Sequence, residues 1–157
     1  MPPFSLTSDD ELTLRQGMER LLRECGAHCA LLVDRGGQLL TQAGGRPSFD
    51  ATTFATLTAA DFSANDQLAR LLGEDEFTSL FHQGDRESMF VSDIAGSMIL
   101  VVLFDARIAL GLVRLRLRPV LEDLARIVDA MLARDGTAAS RPAILAGADE
   151  EIDRLFQ

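Results

Sequence analysis

The segment Met98–Phe104, MILVVLF, contains no polar residue and no alternation of apolar with polar side chains. A strand with one wet face alternates; a strand that does not is covered on both faces. Such a segment forms the centre of a core and commits the chain to a sheet with helices on both sides. Its neighbours in sequence, Glu87 to Ile94 and Ala109 to Arg118, read as two further strands. The separators Ala95-Gly96-Ser97 and Asp105-Ala106-Arg107 are short enough to force antiparallel pairing. In VRLRLR the alternation sends Val113, Leu115 and Leu117 to one face and Arg114, Arg116 and Arg118 to the other. Pro119 then opens a helix at its first turn, with Leu121, Leu124, Val128, Met131 and Leu132 on its buried stripe and Asp135-Gly136 at its end.

Upstream, Leu14, Met18, Leu21, Leu22 and Cys25 recur at three- and four-residue spacing from Asp9 onward, an amphipathic helix stopped by Gly26. Two apolar runs follow, Cys29 to Asp34 and Gln38 to Ala43. Arg35-Gly36-Gly37 between them supplies the positive φ values of a hairpin. A second helix starts at its N-cap Asp50 and ends at Gly73, with Leu57, Ala64, Leu68, Leu71 and Leu72 as the buried stripe. Glu74 to Arg86 reads as a helical turn plus loop. The expectation is therefore a single α/β domain over residues 9–135, ordered α-β-β-α-β-β-β-α, with a five-stranded antiparallel sheet. The Ala-, Ser-, Gly- and Pro-containing stretch at 136–148 reads as a flexible linker, and 149–157 as a short C-terminal helix.

A net charge of −9 and a pI near 4.6 leave no broad basic face for phosphates, which argues against nucleic acid and anionic membrane as partners. All 15 basic residues are arginine, which removes lysine chemistry. The N-terminal MPPFSLTSDDELTL lacks the basic and apolar regions of a secretory signal. No uncharged apolar run reaches the roughly 18 residues of a membrane span, so a cytoplasmic protein with free thiols is expected.

No pattern argues for catalysis or a cofactor. Cys25, His28 and Cys29 lie close in sequence and His82 would make a fourth zinc ligand, but the spacing matches no known zinc signature, and an ordinary helix end and strand start explain the group. A cysteine–histidine nucleophile lacks an orienting third group. The glycine pairs Gly36-Gly37 and Gly44-Gly45 match neither a P-loop nor a dinucleotide fingerprint.

The second helix is more informative. Opposite its apolar stripe stand Thr56, Ala59, Ala60, Ser63 and Gln67, flanked by only Asp66 and Arg70. A helix face chosen for water usually carries Glu, Lys or Arg. Small uncharged side chains instead let another backbone approach closely, so this face reads as an interface. The C-terminal ADEEIDRLFQ (Ala148 to Gln157) adds a second binding element, with Ile152, Leu155 and Phe156 on one side of a segment too short to be a stable helix alone.

Several segments resemble the Roadblock (dynein light chain) family: CALLVDRGGQLL, LARLLGEDEF, FHQGDRESMFV and LVVLFDARIALGLVRLRL, with DEEIDRLF at the tail. They are most similar to its bacterial polarity branch, the MglB group. This resemblance implies a profilin-like fold and a homodimer in which the third strands, taken as Glu87 to Ile94, pair across the molecule while the second helices lie side by side. It also implies a partner, a Ras-like small GTPase of the MglA type docked across those helices, whose GTP hydrolysis the dimer accelerates without supplying an arginine finger. Thr56, Ala59, Ala60, Ser63, Gln67 and Arg70 become the partner-binding residues, and Ile152, Leu155 and Phe156 a second GTPase contact. The setting implied is cell polarity or motility, with concentration at a cell pole. A second reading of the same resemblance is a non-activating Roadblock adaptor that scaffolds a GTPase or polarity complex.

Overall fold

The computed structural model describes residues 6–75 and 78–140, with side chains through residue 135. Helix α1 (Ser8–Cys25) begins in a capping box, in which Thr7 and Asp10 each accept the other's backbone N–H, and it ends at Gly26 with φ of 70°. Every apolar residue assigned to its stripe is buried. Strands β1 (Cys29–Asp34) and β2 (Leu39–Gly44) form the hairpin, and α2 (Ala51–Leu71) crosses to the far side. Strands β3 (Ser79–Gln83), β4 (Glu87–Ile94) and β5 (Met98–Asp105) follow, and α3 (Leu110–Ser140) closes the domain.

The five strands form one antiparallel sheet in the order β2-β1-β5-β4-β3. Strand β5 is central, fully buried from Met98 to Phe104, as its unbroken apolar run requires. Alternate residues of the sheet feed two separate cores. On one side Ala30, Leu32, Leu100, Val102 and Phe104 meet α1 and α3; on the other Leu31, Val33, Val91, Ile99 and Val101 meet α2.

The fifth strand is not the one expected. Ala109 to Arg118 is the start of α3, and the missing strand is β3, inside the stretch read as turn and loop. The cause lies in the sheet. Both flanks of β5 are taken, one by β1 and one by β4, so the segment after β5 cannot turn back and pair beside it, and it leaves the sheet. Its apolar residues fit a helix equally well: Val113, Leu117, Val120, Leu124 and Val128 are all buried at three- and four-residue spacing. Pro119 therefore sits inside α3, where it cannot donate to the Leu115 carbonyl, instead of at the first turn. The helix also passes Asp135-Gly136 and reaches Ser140, so residues 136–140 are helical where linker was expected. The rest of the linker and the C-terminal segment lie outside the described residues. The three arginines of VRLRLR do not share a face: Arg116 donates to the Glu24 carbonyl at 3.3 Å, whereas Arg114 and Arg118 stand one turn apart on another side of α3.

Candidate protein interface

Helix α2 is set on the sheet by small residues. Asp50 caps it, accepting from the Thr52 N–H at 3.2 Å and the Thr53 hydroxyl at 2.6 Å. Ala55, Thr58, Ala59, Phe62 and Ala69 turn inward, and the buried Thr58 hydroxyl donates to the Phe54 carbonyl at 2.9 Å. The hairpin comes close to the helix at Gly37, whose φ is 92° and where a Cβ would stand 3.1 Å from the Thr56 Cα. Glycine at this turn lets the two backbones meet.

Arg35, from the same hairpin, reaches beneath the second half of α2. Its guanidinium lies 4.9 Å from the Phe62 ring centroid, donates to Asp66 at 3.1 Å and also donates to Asp93 of β4. Both carboxylates are largely buried, so one planar cation ties helix, hairpin and sheet together. Asp61 is held from the other flank, with His82 Nε2 of β3 3.1 Å from its carboxylate and the Asn65 amide donating to its carbonyl at 2.8 Å. The acidic residues of the helix are thus engaged within the domain.

The outward side carries little charge, with Arg70 the one exposed charged residue of α2. Thr53, Thr56, Leu57, Ala60, Ser63, Ala64, Gln67, Leu68 and Leu71 are all exposed. Of the expected partner-binding residues, Thr56, Ala60, Ser63, Gln67 and Arg70 lie at the surface, but Ala59 is only 6% exposed and packs into the sheet core. The expected buried stripe is also corrected: Leu57, Leu68, Leu71 and Leu72 are 64%, 53%, 84% and 74% exposed, and Ala64 is exposed as well. Apolar periodicity marks a stripe but not its cover. The sheet beneath is already filled by bulky side chains and accepts alanines. The legible signal was the spacing of Leu57, Asp61, Ala64, Leu68 and Leu71, which alternates four and three as in a helix–helix seam.

Strand β4, expected to pair across a dimer, is hydrogen-bonded on both sides, to β3 and to β5. The free edges of the sheet are β2 and β3, and β3 reaches α2 through His82 and Asp61. A cleft of about 590 Å³ opens near the start of α2, with Phe54, Met89 and Leu103 among its walls and Arg46 at its rim.

Of the cysteine and histidine residues, His28, Cys29 and His82 line this cleft, whereas Cys25 lies on the other side of the sheet. Cys25 packs in the α1–α3 core and Cys29 in the α2 core, on opposite sides of the sheet. Burial pushes the Cys25 thiol up to about 11 and raises that of Cys29 as well. His28 pairs with Glu87 at 2.7 Å and His82 with Asp61. Among the described residues no group of three or more His, Cys, Asp and Glu is arranged to hold a metal, and no helix is long and apolar enough to cross a membrane. Ile152, Leu155 and Phe156 lie outside the described residues.

Comparison with known proteins bears on this architecture directly. Residues 15–104 match the Roadblock/LC7 domain. No curated protein sequence matches. Among solved structures, Myxococcus xanthus MglB is 37% identical with a TM-score of 0.72, covering 75% of this chain and 96% of its own. The gliding protein MglB from Thermus thermophilus is 35% identical with a TM-score of 0.74, covering 83% and 98%. An MglB described as having a tetrameric arrangement is 37% identical at a TM-score of 0.75, covering 84% and 99%. A Roadblock/LC7 domain from Streptomyces avermitilis, 17% identical at a TM-score of 0.61, shares the fold. On the strength of the domain match and of MglB structures covered almost end to end, this chain belongs to the Roadblock/LC7 family.

Proposed function

We propose that this chain is a homodimeric regulator that docks a Ras-like small GTPase of the MglA type across paired α2 helices and accelerates its GTP hydrolysis. The observation that carries the reading is the outward face of α2, where ten of the eleven exposed positions of the helix are uncharged. An apolar, patch-forming helix face is what a protein partner covers. Its two halves suit two partners. The seam of Leu57, Ala64, Leu68 and Leu71 suits a second copy of the helix, with β3 at the adjoining free edge taking the role first given to Glu87–Ile94. Thr56, Ala60, Ser63 and Gln67, with Arg70 beside them, suit the GTPase. Similarity to MglB structures supports the same reading.

In this reading the chain has no catalytic site of its own. It acts by holding the switch regions of the GTPase, whose own arginine stabilises the transferring phosphoryl group. The test is phosphate release from the MglA-type GTPase with GTP. The parent protein raises the rate, whereas Ser63→Arg and Gln67→Arg abolish the rise, because each places a charge in a close contact. Arginine variants that stimulate as well as the parent would overturn the assignment of the face. Binding without any change in turnover would select the non-activating adaptor instead.

A further inference from the structure

We propose that the groove between α3 and the outer strands, on the side of the sheet away from α2, is a docking site for the chain's own acidic C-terminal segment, Asp149–Phe156. The groove, about 340 Å³, has an apolar floor of Phe90, Leu117 and Leu121. Arg114 and Arg118 stand along its wall, exposed and one turn apart. Neither has a carboxylate partner among the described residues, as is also true of Arg23, Arg46, Arg70, Arg86 and Arg116, but Arg114 and Arg118 are the two that share one groove. The pair sets two positive charges one turn apart over apolar carbon in a chain of net charge −9. Of the acids at the groove, Asp93 is already engaged by Arg35 and the Gly96 amide, which leaves Glu122 at the far end from Arg114.

The segment that answers this surface is in the same chain. Asp149, Glu150, Glu151 and Asp153 are interleaved with Ile152, Leu155 and Phe156, acid and apolar side chains together. Its reach is sufficient. From Arg118 to Ser140, α3 extends about 33 Å at ~1.5 Å per residue. The chain from Ser140 to Asp149 spans up to about 30–32 Å when extended, at ~3.3–3.6 Å per residue. The acids therefore arrive level with Leu121 and Arg118, and the apolar residues continue towards Arg114. Tethering holds the segment at a high effective concentration, so contacts too weak to capture a free peptide suffice here. A segment held in this groove is withheld from any other partner, and docking is a property of the chain alone, independent of the GTPase reading.

The experiment uses the full-length chain with Gln157→Cys carrying a nitroxide; the native thiols are buried and remain unlabelled. Paramagnetic broadening of backbone amide signals is expected to concentrate at Thr78, Ser79 and Ser92 and along α3 near Arg114. Combined Arg114→Glu and Arg118→Glu should abolish it, and adding Glu150→Arg with Glu151→Arg should restore it. Broadening that is absent, spread evenly, centred on α2 or indifferent to the arginine reversals overturns the proposal. So does broadening seen only between isotope-labelled and spin-labelled copies in a mixed sample, which would make the occupant another chain's tail.

Discussion

Ala95 adopts a φ of 56° and is followed by Gly96 at 70°, so two of the three residues joining β4 to β5 lie in the left-handed region. Successive positive φ values suit the right-handed twist of a hairpin, and the turn is closed by the Ser97 amide donating to the Ile94 carbonyl at 3.1 Å. An alanine there costs on the order of 1–2 kcal/mol, while asparagine tolerates the conformation. Ala95→Asn is expected to raise the Tm by roughly 2–4 °C, read by calorimetry; an unchanged or lower Tm would show that the turn gains nothing from asparagine. Single residues of this kind are legible when their function is local, as with Gly26 and Asp50. Arg35 was not. Its carboxylate partners lie 31 and 58 positions away, and nothing in the hairpin sequence announces them.

The elements divide the same way. Helix α1, the β1–β2 hairpin and the ends of α2 follow from periodicity and caps, because the forces that set them act within a few residues. The start of α3 does not, since Val113, Leu115 and Leu117 satisfy a strand and Val113, Leu117 and Val120 a helix; occupancy of both flanks of β5 decides it. Strand β3 was missed because SLFHQ is short and only half-buried, with little apolar signal. For α2 the stripe was read correctly as apolar and given the wrong cover. If that stripe meets a second copy, Leu68→Asp should weaken self-association at least about tenfold, or 1.4 kcal/mol, by analytical ultracentrifugation. The melting of the separated subunit should change little, because Leu68 is 53% exposed in it. Self-association as tight as the parent's would remove the seam from the interface.

At the scale of the whole molecule, the two ends of the described chain are joined by one ion pair. Arg134 of α3 donates to the buried Asp10 carboxylate of α1 and holds its pKa below the ordinary value. A carboxyl depressed in the folded state adds stability that is complete above its unfolded pKa of about 3.9 and is lost as pH falls through the folded value. Asp10→Asn keeps an acceptor for the Thr7 N–H and removes the titration. Between pH 6 and pH 3 its Tm should fall less steeply than that of the parent, and parallel curves would mean that Asp10 does not contribute to acid unfolding. The overall class was legible because one buried strand demands two covering layers, whereas the candidate interface depends on which layer stays open.

The division of the interior into two cores has an evolutionary corollary. Because the sheet separates the α2 side from the α1–α3 side, substitutions on one side leave the packing of the other untouched, and their effects on stability should sum. The α2 half of such a domain is free to drift while the other half keeps the chain folded. Divergent members of one lineage can thus keep a common foundation beneath unrelated surfaces.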